Sequence, residues 1–271
     1  MKTSKYVFVL ILLSLSLITC KAQKSKAPVT VSDVKTKTTL STTTDKEFTT
    51  AYLMGKFDPS THPDFTSIPP LYRDEEIRYL RKDVLEAFIK MYNEATKDGV
   101  YLKIRSATRN FDNQKRIWEN KWTGKTILED NVNAAKDIPD DVVRAKKILQ
   151  YSSMPGTSRH HWGTDMDFNS FDNKWFESGE GLKIYQWLST NAGAYGFCKP
   201  YTKHGTDRNT GYFEEKWHWT YMPVSEKLTK IAADSLSNDM ITEFLGSHTA
   251  QEIDVVNKYI LGISPACKTK D

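Results

Sequence analysis

Two short segments, well apart in the chain, limit what this sequence can fold into. Pro155 to Phe168 reads P-G-T-S-R-H-H-W-G-T-D-M-D-F, and Tyr212 to Tyr221 reads Y-F-E-E-K-W-H-W-T-Y. Each sets histidine near carboxylates among aromatic and apolar residues. The spacings suit one metal ion and one general base, so the fold must bring the two segments together. His160, Asp167 and His218 read as a zinc triad, with Glu215 as the base. A catalytic zinc takes three protein ligands and leaves one position open for water. Two imidazoles and one carboxylate meet that need, and a carboxylate outside the ligand set must then accept and return a proton. Thr164 to Phe168 has the character of a short strand, which sets Asp165 and Asp167 on one face. Gly163 is expected to let the backbone approach the metal closely. His161 and Glu214 compete with their neighbours for these roles on residue type alone.

The leading segments carry a different signal. Residues 6–18, Y-V-F-V-L-I-L-L-S-L-S-L-I, follow Lys2 and Lys5 and form an apolar run too short to span a bilayer. Residues 1–20 therefore read as an export signal. The run ends in Leu17-Ile18-Thr19-Cys20, which resembles a bacterial lipobox, so lipid on Cys20 is expected to anchor the mature chain at the membrane. Residues 21–50 are rich in Lys, Ser and Thr and read as a tether. Residues 51–271 form the folded domain. Before residue 51 eight Lys stand against Asp33, Asp45 and Glu47, so the formal charge of +4 falls to −1 over 51–271. A near-neutral domain is a poor match for nucleic acid. Its aromatic content, with 7 Trp and 12 Phe in the chain, excludes disorder.

Along the domain, apolar spacing predicts a helix over 74–98 and a strand over 100–104. Arg109 then falls at a strand-to-helix junction, and arginine suits two-pronged capture of a carboxylate. Residues 119–153 give a Lys/Trp-rich stretch and a helix over 140–151, with no chemistry assigned. A helix over 181–194, a strand from Phe197 and an aromatic strand ending at Tyr221 follow. Ser225 is the expected N-cap of the next helix, and Thr249 with Glu252 the expected capping box of the last. Cys198 and Cys267 can pair in an exported protein, but sequence does not show that they meet.

Three elements together carry a family resemblance. Ser158-x-His160-x-x-Gly163-x-x-x-Asp167 and Glu215-x-x-His218-Trp219 follow Ser106-x-x-Arg109 with Gln114 five residues on. This resembles the D-alanyl-D-alanine carboxypeptidase family of zinc peptidases (peptidase family M15), the vancomycin-resistance-type enzymes and their L,D-carboxypeptidase relatives. The resemblance implies an α+β fold whose central antiparallel sheet holds Zn2+ and is flanked by helices. It implies His160, Asp167 and His218 as ligands and Glu215 as base. It further implies Arg109, Gln114 and Ser158 at the substrate, with peptidoglycan stem peptides losing a terminal D-alanine. A peptidoglycan endopeptidase and a non-catalytic, metal-holding wall-binding module are the alternatives. The chain departs from the family pattern at Ala107-Thr108, where Gly-Tyr is usual, and at Asp165, where Ala is frequent. Asp165 is then either a partner of a ligand or a perturbation of the metal's charge.

Overall fold

The computed structural model describes residues 48–268. The segment read as an export signal, and the one read as a tether as far as residue 47, lie outside the described residues. In chain order the elements are α1 (Thr50–Leu53), β1 (Phe65–Ser67), β2 (Tyr79–Arg81), α2 (Lys82–Lys97), β3 (Ile104–Ser106), α3 (Phe111–Trp122) and α4 (Ala134–Asp137). They continue with α5 (Asp141–Ile148), β4 (Asp165–Phe168), α6 (Gly179–Asn191), β5 (Phe197–Cys198), β6 (His218–Tyr221), α7 (Met222–Ser235) and α8 (Ala250–Ile253). No helix among the described residues is long and apolar enough to cross a membrane.

Four strands make the sheet that matters, in the order β3-β4-β6-β5, and every neighbouring pair is antiparallel. The fold is thus α+β with a central antiparallel sheet. Its two middle strands, β4 and β6, are those of the two histidine segments. The D-M-D-F of β4 alternates, so its side chains divide between two faces. Met166 and Phe168 enter an apolar cluster with Val84, Phe88 and Met91 of α2 and Ile184 and Leu188 of α6. Phe88 stacks on Phe168 with ring centroids 5.6 Å apart. Buried positions 84, 88, 91 and 95 form one stripe of α2, as a helix covering a sheet requires. The other face of β4 and β6 carries Asp165, Asp167, His218 and Thr220, all polar and all buried. A second apolar cluster, built from α1, α3, α5, α7 and the carboxyl-terminal segment, includes Tyr201, whose ring lies 4.6 Å from that of His218.

Several local expectations need correction. The helix expected over 74–98 begins only at Lys82. Residues Tyr79–Arg81 pair instead with Phe65–Ser67 in a hairpin, and Ile77 is 67% exposed. Ile77, Leu80 and Val84 fit a helical period, but only Leu80 and Val84 enter a core, and Leu80 does so from a strand. Ser225 is buried inside α7, which starts at Met222 with Pro223 in its first turn. Thr249 makes no capping bond; its hydroxyl donates to the Gly246 carbonyl. At the amino end Phe48 packs on Tyr52 with ring centroids 5.0 Å apart. Cys198 and Cys267 form a disulfide, Cα to Cα 5.7 Å, tying edge strand β5 to the carboxyl-terminal segment.

Candidate metal centre

Asp167 lies directly opposite His218 in the β4–β6 register, and Asp165 opposite Thr220. Residues so paired hold their Cβ atoms within roughly 5 Å. That pairing is what joins the two segments. His160 arrives from the turn Arg159–Trp162 that leads into β4. Its ring meets His218 edge-on at 4.7 Å between centroids. His160, Asp167 and His218 each offer one ligand atom, and these three atoms lie within 4.8 Å of one another.

The nitrogen each histidine can offer is set by what holds the other one. His160 Nδ1 lies 2.8 Å from the Ala107 carbonyl, so it carries the proton and donates. Its Nε2 is then an unprotonated lone pair 3.2 Å from Asp167 Oδ2, and neither this Nε2 nor Asp167 Oδ1 makes a hydrogen bond. His218 Nε2 lies 2.8 Å from Asp165 Oδ2. This leaves Nδ1 facing Asp167 Oδ1 at 3.1 Å and Glu215 Oε2 at 3.3 Å. The departure at Asp165 is thereby explained. Its carboxylate also accepts from the Thr164 hydroxyl at 2.7 Å, the Thr220 hydroxyl at 2.6 Å and Arg159 Nε at 3.3 Å. Arg159, buried with it, reaches Thr229 Oγ1 at 2.8 Å and lies over the Trp162 ring at 4.5 Å. Sequence reasoning missed Arg159; its one signal is a charge inside an otherwise buried run.

The electrostatics follow from burial and these partners. Burial pushes the Glu215 carboxyl up, with His218 opposing, which suits a group that must pick up a proton. Burial would also raise Asp167, but His160 and His218 outweigh it and hold it well below the usual carboxylate range. Burial would lower His218, yet the carboxylates of Asp165, Asp167 and Glu215 hold it well above the ordinary histidine value. Burial, with Arg109 adding to it, lowers His160. Three carboxylates about one buried imidazole, beside unpartnered His160 Nε2 and Asp167 Oδ1, make a donor set that fits a divalent cation.

The competing residues are engaged elsewhere. His161 Nδ1 donates to the Arg109 carbonyl at 2.6 Å, and its Nε2 accepts from the Gly156 N–H at 3.0 Å. Burial lowers its pKa to about 3, so it is a neutral brace between two loops. Glu214 is paired to Lys199 at 2.8 Å. Gly163 serves packing and not the approach to a metal: its φ is +74°, and a Cβ there would sit 2.3 Å from the Phe65 ring.

A cleft of about 410 Å³ opens on the cluster, lined by Arg109, His160, Asp167, Glu215 and His218, with Tyr151 and Trp217 among its aromatic walls. The Arg109 backbone is fixed by its N–H to the His160 carbonyl at 3.2 Å. Its Nε is buried without a partner. Gln114 and Ser158 are not among the lining residues; both are buried. Gln114 Nε2 donates to the Ser153 carbonyl at 2.8 Å, which leaves its Oε1 unpartnered, as is Ser158 Oγ.

Residues 77–224, more than half of the chain, match the family model "VanY: D-alanyl-D-alanine carboxypeptidase". YodJ of Bacillus subtilis is 32% identical over 169 residues, which is 61% of this chain and 53% of that protein. The D-alanyl-D-alanine carboxypeptidase of Enterococcus faecalis is 29% identical over 141 residues, 52% of this chain and 47% of that protein. The chain thus spans about half the length of the curated relatives it matches. Among solved structures, the LdcB LD-carboxypeptidase is similar with TM-score 0.47 and 26% identity, over 68% of this chain and 77% of that one. The vancomycin resistance D,D-pentapeptidase VanY, in complex with Zn(II), is similar with TM-score 0.44 and 24% identity, over 61% of this chain and 88% of that one. The family assignment does not rest on these two scores. By the extent of the family match, the chain belongs to the VanY family of D-alanyl-D-alanine carboxypeptidases.

Proposed function

We propose that this chain is an exported, lipid-anchored zinc carboxypeptidase that removes the terminal D-alanine from peptidoglycan stem peptides. The observation that carries the reading is the convergence of His160, Asp167 and His218, beside a raised and buried Glu215, in a cleft that also holds Arg109. His160 through Nε2, His218 through Nδ1 and Asp167 through its carboxylate would hold the ion. When bound, zinc supplies Lewis acidity toward the scissile carbonyl and lowers the pKa of a coordinated water to about 7.

The protein's own groups do the rest. Glu215 takes the proton of the attacking water as the new C–O bond forms, and gives a proton to the leaving amine as the C–N bond breaks. Its buried setting raises its proton affinity above that of an ordinary carboxylate. Arg109 meets negative charge, either the carboxylate of the departing residue or the oxyanion, and its unpartnered Nε supports that role. Gln114, buried behind the cleft, donates through Nε2 to the carbonyl of Ser153, which lines it. The signal over 1–20 and Cys20 supply the route outside the cytoplasm and the anchor.

The test is mass spectrometry of defined tetra- and pentapeptide muropeptides after incubation with residues 48–271, zinc-loaded or chelated. Chelator-sensitive loss of one alanine is the expected product, and Glu215→Ala should remove it while zinc still binds. The pentapeptide as substrate makes the enzyme D,D-specific; the tetrapeptide makes it L,D-specific. A zinc-loaded protein that cleaves neither, or a Glu215→Ala protein as active as the parent, overturns the reading.

A further inference from the structure

Three cations line the cleft without an ion-pair partner among the described residues; Lys174 is exposed to solvent, and the other two are partly buried. One is Arg109. The other is Lys121, in the last turn of α3, whose Nζ donates to the Ser152 hydroxyl at 2.7 Å. Glu129 and Glu215 line the same cleft, yet neither makes an ion pair with it. Burial lowers the Lys121 ammonium, and these two carboxylates only partly oppose it. Other partly buried lysines of this protein are matched: Lys199 pairs with Glu214 at 2.8 Å and Lys216 with Glu177 at 2.9 Å. An ammonium carries three donors, and one hydroxyl leaves two of them unmatched where water is scarce.

Helix α3 sets the distance between the two cations. Arg109 lies just ahead of the N-cap Asn110 and Lys121 is the helix's penultimate residue, so ten residues of helix, about 15 Å, separate Phe111 from Lys121. Both side chains line one cleft, and the Arg109 charge adds to the lowering of the Lys121 ammonium, so the two cations lie within electrostatic reach of each other. Tyr151 and Trp217, ring centroids 6.3 Å apart, line the same cleft and offer apolar surface to a methylene chain. We infer that Lys121 is a second anion-binding group of the substrate site, taking a free carboxylate carried one or two residues before the scissile bond while Arg109 meets the carboxyl-terminal end. The inference rests on the carboxypeptidase reading and narrows its substrate class. Stem peptides whose third residue ends in a free carboxylate, as diaminopimelate does, are preferred over those with lysine or an amidated residue there.

Two pentapeptides identical except for that group, free acid or carboxamide, test this. Binding is measured by calorimetry to zinc-loaded Glu215→Gln protein, and hydrolysis with the parent protein. A charge-assisted contact in a partly covered site is worth at least about tenfold in affinity. The acid should therefore bind about tenfold more tightly than the amide. In Glu215→Gln/Lys121→Met the ratio should fall to within twofold, and Lys121→Arg in place of Met should restore it. Equal affinity of acid and amide with Lys121 present, or binding of neither, overturns the inference; this comparison needs no variant at position 121. If the acid is preferred but the parent hydrolyses neither peptide, the anion site stands and the carboxypeptidase reading falls. If both are hydrolysed and bound alike, the reading stands and the inference falls.

Discussion

Asp165→Asn keeps the side-chain volume and removes one charge from a fully buried cluster. In the parent protein Asp165 Oδ2 receives Arg159 and His218, and Oδ1 receives two threonine hydroxyls. An amide oriented with its oxygen toward Arg159 and His218 keeps the shape, because hydroxyls can turn to accept. The loss is therefore electrostatic. Arg159 is 1% exposed and Asp165 is its one ion-pair partner among the described residues, so the variant leaves a buried guanidinium without a counter-charge. Removing one partner of a buried pair costs about 3–5 kcal/mol. His218 also loses the charged acceptor that fixes Nε2, and loss of such a partner weakens metal binding roughly 10- to 100-fold. Urea unfolding of the metal-free domain at pH 7 reads the first effect, and zinc competition with a chromophoric chelator reads the second. Arg159→Met combined with Asp165→Asn removes both charges, so it should recover much of the stability but not the zinc affinity. An Asp165→Asn protein within about 1 kcal/mol of the parent, and within twofold in zinc affinity, would refute the reasoning.

Other outcomes follow from single contacts. Tyr52, buried and donating to the Trp162 carbonyl at 2.8 Å, has its pKa pushed up to about 12 by burial. Its native form holds a proton that the unfolded chain releases near pH 10, so this contribution is full below pH 10 and is lost as pH rises toward 12. At pH 11 the parent should lose about 1.4 kcal/mol relative to Tyr52→Phe, read as converging urea midpoints; parallel pH profiles would count against it. Replacing Cys198 and Cys267 with Ser opens a loop of sequence separation 69, which the chain-entropy relation sets at about 4 kcal/mol, and a thermal melt unchanged by the replacement would contradict that. Gly163→Ala combines the left-handed φ with the Phe65 contact and should cost about 2 kcal/mol or more in denaturant unfolding, whereas Gly193→Ala, with open space at its Cβ, should cost far less.

The parts of the site legible in the sequence are those that chemistry ties to residue type. His160, Asp167, His218 and Glu215 could be picked out because few residues bind a metal or move a proton. The strand character of 165–168 followed from D-M-D-F, and two-sided burial did not obscure it. What stayed hidden depends on pairing at a distance. Nothing local says that Asp167 stands opposite His218, since register is a property of two strands. The difference between His160 and His161 lies in which carbonyl each ring meets, Ala107 or Arg109, and both carbonyls belong to a loop far back in the chain. Lys121 lay in a stretch given no chemistry, because a lysine near the end of an amphipathic helix reads as solvated; its place in the cleft comes from how α3 packs. The helix boundary at Lys82 failed for a related reason: Leu80 is buried whether it belongs to a helix or to a strand, so apolar spacing could not separate the two.

The two histidines are held by unequal acceptors, and that difference accounts for the departure at Asp165. His160 donates to a neutral backbone carbonyl, which fixes its tautomer and adds no charge. His218 has a carboxylate behind it, which fixes Nε2 more firmly and makes Nδ1 a stronger donor toward a cation. A bare carboxylate there would add one negative charge to a cluster that already holds Asp167 and Glu215, and would draw a proton onto His218 in competition with a metal. Arg159 cancels that charge at a Nε to Oδ2 distance of 3.3 Å. Positions 159 and 165 therefore act as one unit: either alone would shift the centre by a full charge, and together they leave it with the charge of its ligands. A small residue at 165 would make the arginine at 159 a liability, and an arginine at 159 requires an acid within its reach.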